Sequence, residues 1–199
     1  MPLPAPQDEF RHFAQQVCIT GRLVPLKGHR YAIEAVHLLK DRFPGLGLVI
    51  VGTGPAEQEL KSQVQALGLG AQVAFAGFST QVLSYMQASD VVAIPSEGEG
   101  FGLVALEAMA VARPVVAFDV PALNEIVAHG HTGLLAPQVS AQDLSEALAR
   151  LLSDPALAQR MGLAGQERGA ERFSQQRHVE GLASWYAQAL PSAAAVSGK

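Results

Sequence analysis

From residue 17 to residue 152 the chain alternates short, unbroken apolar runs with longer amphipathic stretches. Val17–Thr20, Leu46–Val51, Gln72–Phe75, Val91–Ile94, Pro114–Phe118 and Gly133–Leu135 read as strands. Gly28–Arg42, Ala56–Leu67, Val82–Gln87, Leu103–Val111 and Ser140–Leu152 read as helices. The strand runs show no apolar–polar alternation, so both of their faces must be covered by protein. Strictly alternating strands and helices of this kind give one doubly wound, right-handed parallel sheet of an α/β fold. Two further helices, Ala156–Ala170 and Gln175–Leu190, follow with no strand between them. Residues 1–16 are Pro-rich and are expected to be a loose leader, 17–190 a single domain, and 191–199 a flexible tail.

The 199 residues, 49% hydrophobic and only 16% charged, exclude a disordered chain and suffice for one sizeable core. The net charge is −4 and no basic run occurs, which argues against a nucleic-acid partner. Cys18 is the single cysteine and lies in an apolar stretch, so it is expected to be a buried, reduced, inert thiol. No apolar run is long enough for a bilayer, and the first residues lack a signal-peptide pattern, so a cytoplasmic protein is the default expectation.

Ligands of such folds sit beyond the carboxyl ends of the strands. The loops there carry Arg22 and Lys27, Gly52-Thr53-Gly54, Gly77-Phe78, and Glu97 to Gly102. The last runs Ser96-Glu97-Gly98-Glu99-Gly100-Phe101-Gly102 and feeds a helix that opens near Leu103. Glu99 lies in the loop and Glu107 one turn inside the helix. The helix start offers N–H groups and a positive dipole end to an anion, and the glycines let backbone come close to it. Each carboxylate can accept hydrogen bonds from a pair of sugar hydroxyls. Arg22 and Lys27 flank a turn and suit a diphosphate, one as a planar fork of donors and the other as a mobile point charge. The helix around Glu107 is apolar on every side, which predicts a buried helix and a carboxylate in need of a partner.

Other chemistries find little support. Gly52-Thr53-Gly54 lacks the third glycine and the later acidic residue of a dinucleotide site, so a hydride-transfer dehydrogenase is disfavoured. There is no Asp-x-Asp, and Glu97 and Glu99 lack a third ligand, so no metal is expected. His129 and His131 read as a solvated loop pair, and His29 and His37 as surface residues. No Ser-His-Asp set, Cys-His set or Walker lysine is present. A glycosidase pair needs two carboxyls facing each other across a cleft, which a loop residue and the helix it feeds do not suit. Trp185-Tyr186 reads as aromatic packing of the last helix.

With GRLVPLKG at 21–28, EGFGLVALE at 99–107 and AMAVARPVVAFDV at 108–120 in view, the chain resembles the group-1 retaining glycosyltransferases of the GT-B fold. More narrowly, it resembles their Rossmann-like C-terminal, nucleotide-sugar-binding domain. NEIVAHGHTGLLAP at 124–137 and ERFSQQRHVEGLASWY at 171–186 are similar to the family's closing segments. The resemblance implies that Gly21, Arg22 and Lys27 meet the donor diphosphate, that Glu107 holds the ribose, and that Glu99 contacts the transferred sugar. It places Phe78 and Ser79 along the base, and the backbone of Gly100, Phe101, Gly102, Leu103 and Val104 against the distal phosphate and sugar. Glu99, Arg22 and Lys27 are thereby the candidate catalytic residues. It implies transfer of a hexosyl group from a UDP-, GDP- or ADP-sugar with retention and with neither metal nor cofactor. The expected partner is an N-terminal GT-B domain, in cis or as a separate chain, to which residues 171–190 would cross and without which the chain would be inactive. Lipid acceptors are common in the family, so the complete enzyme could work at the inner face of a membrane. A non-catalytic binding or assembly module that keeps the fold is the alternative, and a sugar-nucleotide epimerase of related fold a weaker one. Val120-Pro121-Ala122-Leu123 departs from the family's usual Gly-Gly pair there.

Overall fold

The computed structural model describes residues 5–173, with 8 and 11 excepted. The expected helix at 175–190, the Trp185-Tyr186 pair and the tail at 191–199 lie outside the described residues. The strands are β1 (Gln15–Thr20), β2 (Leu46–Val51), β3 (Val73–Gly77), β4 (Val91–Ile94), β5 (Val115–Phe118) and β6 (Gly133–Ala136). The helices are α1 (His29–Leu39), α2 (Glu57–Ala66), α3 (Val82–Ala88), α4 (Leu103–Ala110), α5 (Leu123–Ile126), α6 (Ala141–Ser153) and α7 (Pro155–Arg172), with a short 3₁₀ turn at Pro25–Lys27. The short α5 was not foreseen, since a four-residue helix leaves no readable period.

All six strands pair in parallel in the order β3-β2-β1-β4-β5-β6. Winding proceeds from β1 outward through β2 to β3, then returns to the other side of β1 for β4. The crevice beyond the carboxyl ends of β1 and β4 is therefore the topological switch point. β2, β4 and β5 are buried at every position, which is what their unbroken apolar runs required. Helix α1 buries Ala32, Ile33, Val36 and Leu39 at helical spacing and packs on α6, which supplies Leu144, Leu148 and Leu151. Each fully buried leucine or isoleucine is worth about 1.5–3 kcal/mol of transfer free energy.

Close helix packing is set by small residues. On α7, a Cβ at Gly162 would overlap the Ala112 carbonyl, which lets α7 lie directly against the end of α4. Ser140 caps α6 by accepting from the Asp143 N–H, and Asp154 caps α7 by accepting from the Leu157 N–H. The leader expected to be loose is packed over part of its length. The Gln7 N–H donates to the Ser84 carbonyl of α3 at 3.1 Å, and Phe10 lies 6.3 Å from the Tyr85 ring. Apolar rings in that segment gain more from covering α3 than from staying in water.

Candidate functional site at the sheet's switch point

The loop after β1 and the loop after β4 are locked together. Gly28 has φ +66, and any Cβ there would overlap the Pro95 carbonyl oxygen. The Glu97 N–H donates to the Leu26 carbonyl at 2.9 Å. These contacts bring Lys27 to Glu99 from opposite sides of the crevice. Lys27 Nζ donates to both carboxylate oxygens, at 2.7 and 2.8 Å. The Ser96 hydroxyl donates to Glu99 Oε1 at 2.7 Å. The Glu99 side chain is only 9% exposed and that of Lys27 28%, so this pair is shielded well beyond an ordinary surface ion pair. A second pair braces the same loop, Arg30 to Glu97 at 2.6 Å, with the Arg30 guanidinium also donating to the Tyr31 hydroxyl.

On the β2 and β3 side of the crevice lies a cavity of about 480 Å³. Gly21 and Arg22 form one wall, Phe78 and Ser79 the other, and Gly52-Thr53-Gly54 the floor between them. The weakly informative Gly-x-Gly acquires a reason here. A Cβ at Gly52 would overlap the Gly21 carbonyl and one at Gly54 the Leu23 carbonyl, while the Leu23 N–H donates to the Thr53 carbonyl at 3.0 Å. Thr53 lies in a loop already expected at this edge, whereas Pro55 and Val82 line the cavity without having been named as site residues. Their position at the end of β2 and the start of α3 was the available signal.

Gly102, at φ +79, sits against Leu123 and Ile126 of α5 and starts α4 over the crevice. Gly100, Phe101 and Leu103 are exposed there, and Val104 is half-buried. Leu26, Phe78, Phe101 and Leu103 together leave large apolar side chains in solvent along this one edge. Such grouping marks a surface that a ligand or another protein surface covers.

Two expectations need correction. Helix α4 is apolar on every side, yet it buries only Ala105, Ala108 and Met109 among its residues. Glu107 faces outward and is exposed, although the protein around it desolvates the carboxyl enough to raise its pKa. The apolar excess of α4 thus belongs to the open edge and not to an all-round burial. His29 is 2% exposed and not at the surface. Burial, with the Lys27 charge nearby, lowers its pKa from 6.5 to about 4. It opens α1 directly after the Gly28 turn, whose backbone lies close against the Pro95 carbonyl. His37, on the same helix, is half-buried and lies near Lys40.

Comparison with known proteins agrees with this fold. The family model of glycosyl transferases group 1 matches residues 7–168. Alpha-D-kanosaminyltransferase of Streptomyces kanamyceticus is 34% identical over 85% of this chain and 45% of its own length. Crystal structures of Anabaena HepE with UDP and with UDP-glucose superpose with TM-scores of 0.78 and 0.77, at 30% and 31% identity, over 85% of this chain and 48% of theirs. The C-terminal domain of the group 1 glycosyl transferase LpcC from Francisella tularensis matches at TM-score 0.77 and 28% identity, covering 87% of this chain and 97% of that one. The chain spans less than half the length of relatives such as the first of these. A six-stranded parallel α/β sheet, a cradle assembled at its switch point, and a family model covering most of the sequence together make this chain a member of the group 1 glycosyltransferases.

Proposed function

We propose that the chain is the donor-binding domain of a retaining, metal-independent hexosyltransferase, completed by an N-terminal GT-B domain in cis or on another chain. One observation carries the reading. Lys27 and Glu99 are joined across the switch point, and the loops after β1, β2 and β3 on the same sheet edge enclose a cavity lined by Arg22 and Phe78. A nucleoside would occupy that cavity, its base along Phe78 and Ser79. Arg22 and Lys27 would take the diphosphate, with the start of α4 directed at the distal phosphate. Glu99 would accept from the transferred sugar's hydroxyls and Glu107 from the ribose. The raised pKa of Glu107 suits a carboxylate that gains donors on binding.

The chemistry follows from the charges. Breaking the sugar–phosphate bond leaves negative charge on the departing diphosphate. Arg22, Lys27 and the backbone N–H groups at the start of α4 would stabilise it, a task that other enzymes assign to a divalent ion. This chain alone would bind donor without turning it over, since the acceptor side of the cleft belongs to the second domain. Because HepE has been crystallised with UDP and UDP-glucose, uracil is the first base to try. The complete enzyme would act in the cytoplasm, and no described helix is long and apolar enough to cross a membrane.

Calorimetric titration of UDP-, GDP- and ADP-sugars into the chain and into Glu107→Ala tests the proposal. One donor series is expected to bind, and the substitution to weaken it. No binding by any series, or equal affinity for both proteins, refutes the proposal.

A further inference from the structure

We propose that Ser96 is a positioning residue for the sugar half of the donor, because its hydroxyl sets which oxygen of Glu99 faces the ligand. The inference rests on the donor-binding reading and adds a residue that it does not assign. Ser96 is 2% exposed and follows β4 by two residues. Its Oγ donates to Oε1 of Glu99 at 2.7 Å, while Lys27 donates to Oε1 at 2.7 Å and to Oε2 at 2.8 Å.

An ionised carboxylate offers about four lone-pair sites, two on each oxygen. Oε1 has both of its sites filled, by Ser96 and Lys27. Oε2 has one filled, by Lys27, and keeps one open. A sugar hydroxyl entering the crevice is therefore received on Oε2. Lys27 does not make that choice, since its ammonium rotates freely and grips both oxygens at nearly equal distance. The last torsion of a glutamate is broad and roughly two-fold, so the carboxylate needs another contact to fix its plane. Ser96 supplies it from a buried position, with a single hydroxyl bonded to a single oxygen.

The arrangement also survives ligand arrival. An incoming diphosphate draws the Lys27 ammonium toward its own oxygens. Ser96 then remains as the protein donor that holds Glu99, and the carboxylate keeps its orientation; each oxygen gains one open site, which leaves one on Oε1 and two on Oε2. Sugar recognition is thus separated from phosphate recognition, with Ser96 serving the first and Lys27 the second.

The experiment compares each nucleoside diphosphate with its glucose conjugate, UDP against UDP-glucose first, then GDP and ADP with theirs. Calorimetry on the 199-residue chain, S96A, S96C and E99Q reads the ratio of the two affinities, and thermal melts accompany it. S96A is expected to lower the ratio about three- to tenfold, the loss of one oriented hydrogen bond, with affinity for the bare diphosphate near that of the parent chain and a melt that stays cooperative though at lower temperature. S96C, a poorer donor of similar size, is expected to fall between. E99Q is expected to lower the ratio at least as far as S96A. An unchanged ratio in S96A while E99Q lowers it overturns the proposal. An equal loss for both ligands in S96A makes Ser96 structural and overturns it too. A parent chain that binds none of these ligands overturns the donor-binding reading itself, and the role of Ser96 with it.

Discussion

Lys27 and Glu99, 72 residues apart in sequence, come from loops that follow adjacent strands on either side of the switch point, and the lysine holds both oxygens of the carboxylate. Neither residue has a reason to be near the other except the return of the chain to β1's free edge. Glu99 is largely shielded from water, so the pair is a strong constraint on the loop.

Lys27→Met removes the cation that both Glu99 and a diphosphate would use. UDP affinity is expected to fall about 10- to 100-fold, the usual worth of a charge-assisted contact of about 1.5–3 kcal/mol. Calorimetry with UDP alone checks it, and an unchanged dissociation constant would show that phosphate binds elsewhere.

Gly28→Ala meets two obstacles, a left-handed backbone and the Pro95 carbonyl. Gly68 has a nearly identical φ of +68 but open space around it. Gly68→Ala should therefore cost about 1 kcal/mol and Gly28→Ala at least about 3 kcal/mol. Urea unfolding of the two variants separates backbone strain from the loop contact. Equal midpoints would mean that the Gly28–Pro95 approach contributes nothing.

His29 carries its two ring nitrogens buried and without a hydrogen-bond partner among the described residues. Its folded pKa of about 4 lies below the unfolded value of 6.5. Between those values the unfolded chain binds the proton and the folded chain does not, so stability is present above pH 6.5 and is lost as pH falls. The loss totals about 3 kcal/mol by pH 4. His29→Leu should abolish this component and be more stable than the parent chain at pH 5. Denaturant titrations at pH 7 and pH 5 measure it, and parallel pH dependence in both proteins would contradict a buried neutral imidazole.

Ala122 adopts φ +69 with ψ −45 at the start of α5, where an alanine is strained. Ala122→Gly is expected to raise stability by about 1 kcal/mol, strain relief outweighing the added freedom of the unfolded chain. A lowered melting temperature would show that the strain is absent.

Cys18 is fully buried in β1, and desolvation pushes its thiol up to about 12 despite a contact with Ser89 that acts the other way. A thiol reagent at pH 8 should label it only as fast as the chain unfolds. Rapid labelling in native buffer, at a rate independent of denaturant, would place the thiol at the surface.

Every strand and every helix but the short α5 was readable because each is a local pattern. Val91–Ile94 announces itself by four apolar residues before Pro95, and Leu103–Ala110 by the glycines in front of it. The candidate residues Arg22, Lys27, Phe78, Glu99 and Glu107 were named from residue type, loop position and family resemblance, and their roles are the subject of the binding experiments above. The burial of His29, the outward face of Glu107 and the brace between Arg30 and Glu97 were not. Each depends on what a distant loop places beside it, and side-chain polarity alone does not report that.

Apolar runs and glycine positions by themselves determined an alternating α/β chain and which loops gather beyond the carboxyl ends of its strands. They act over a few residues, through backbone preference and the demand to cover apolar surface. Strand order decided the rest. Only when β4 returned to pair with β1 did Lys27 meet Glu99, Ser96 reach one oxygen of that carboxylate, and Arg22 come to face Phe78 across a cavity. Such meetings are set by the packing of the whole sheet, because side chains far apart in sequence become neighbours only once its crossovers are complete.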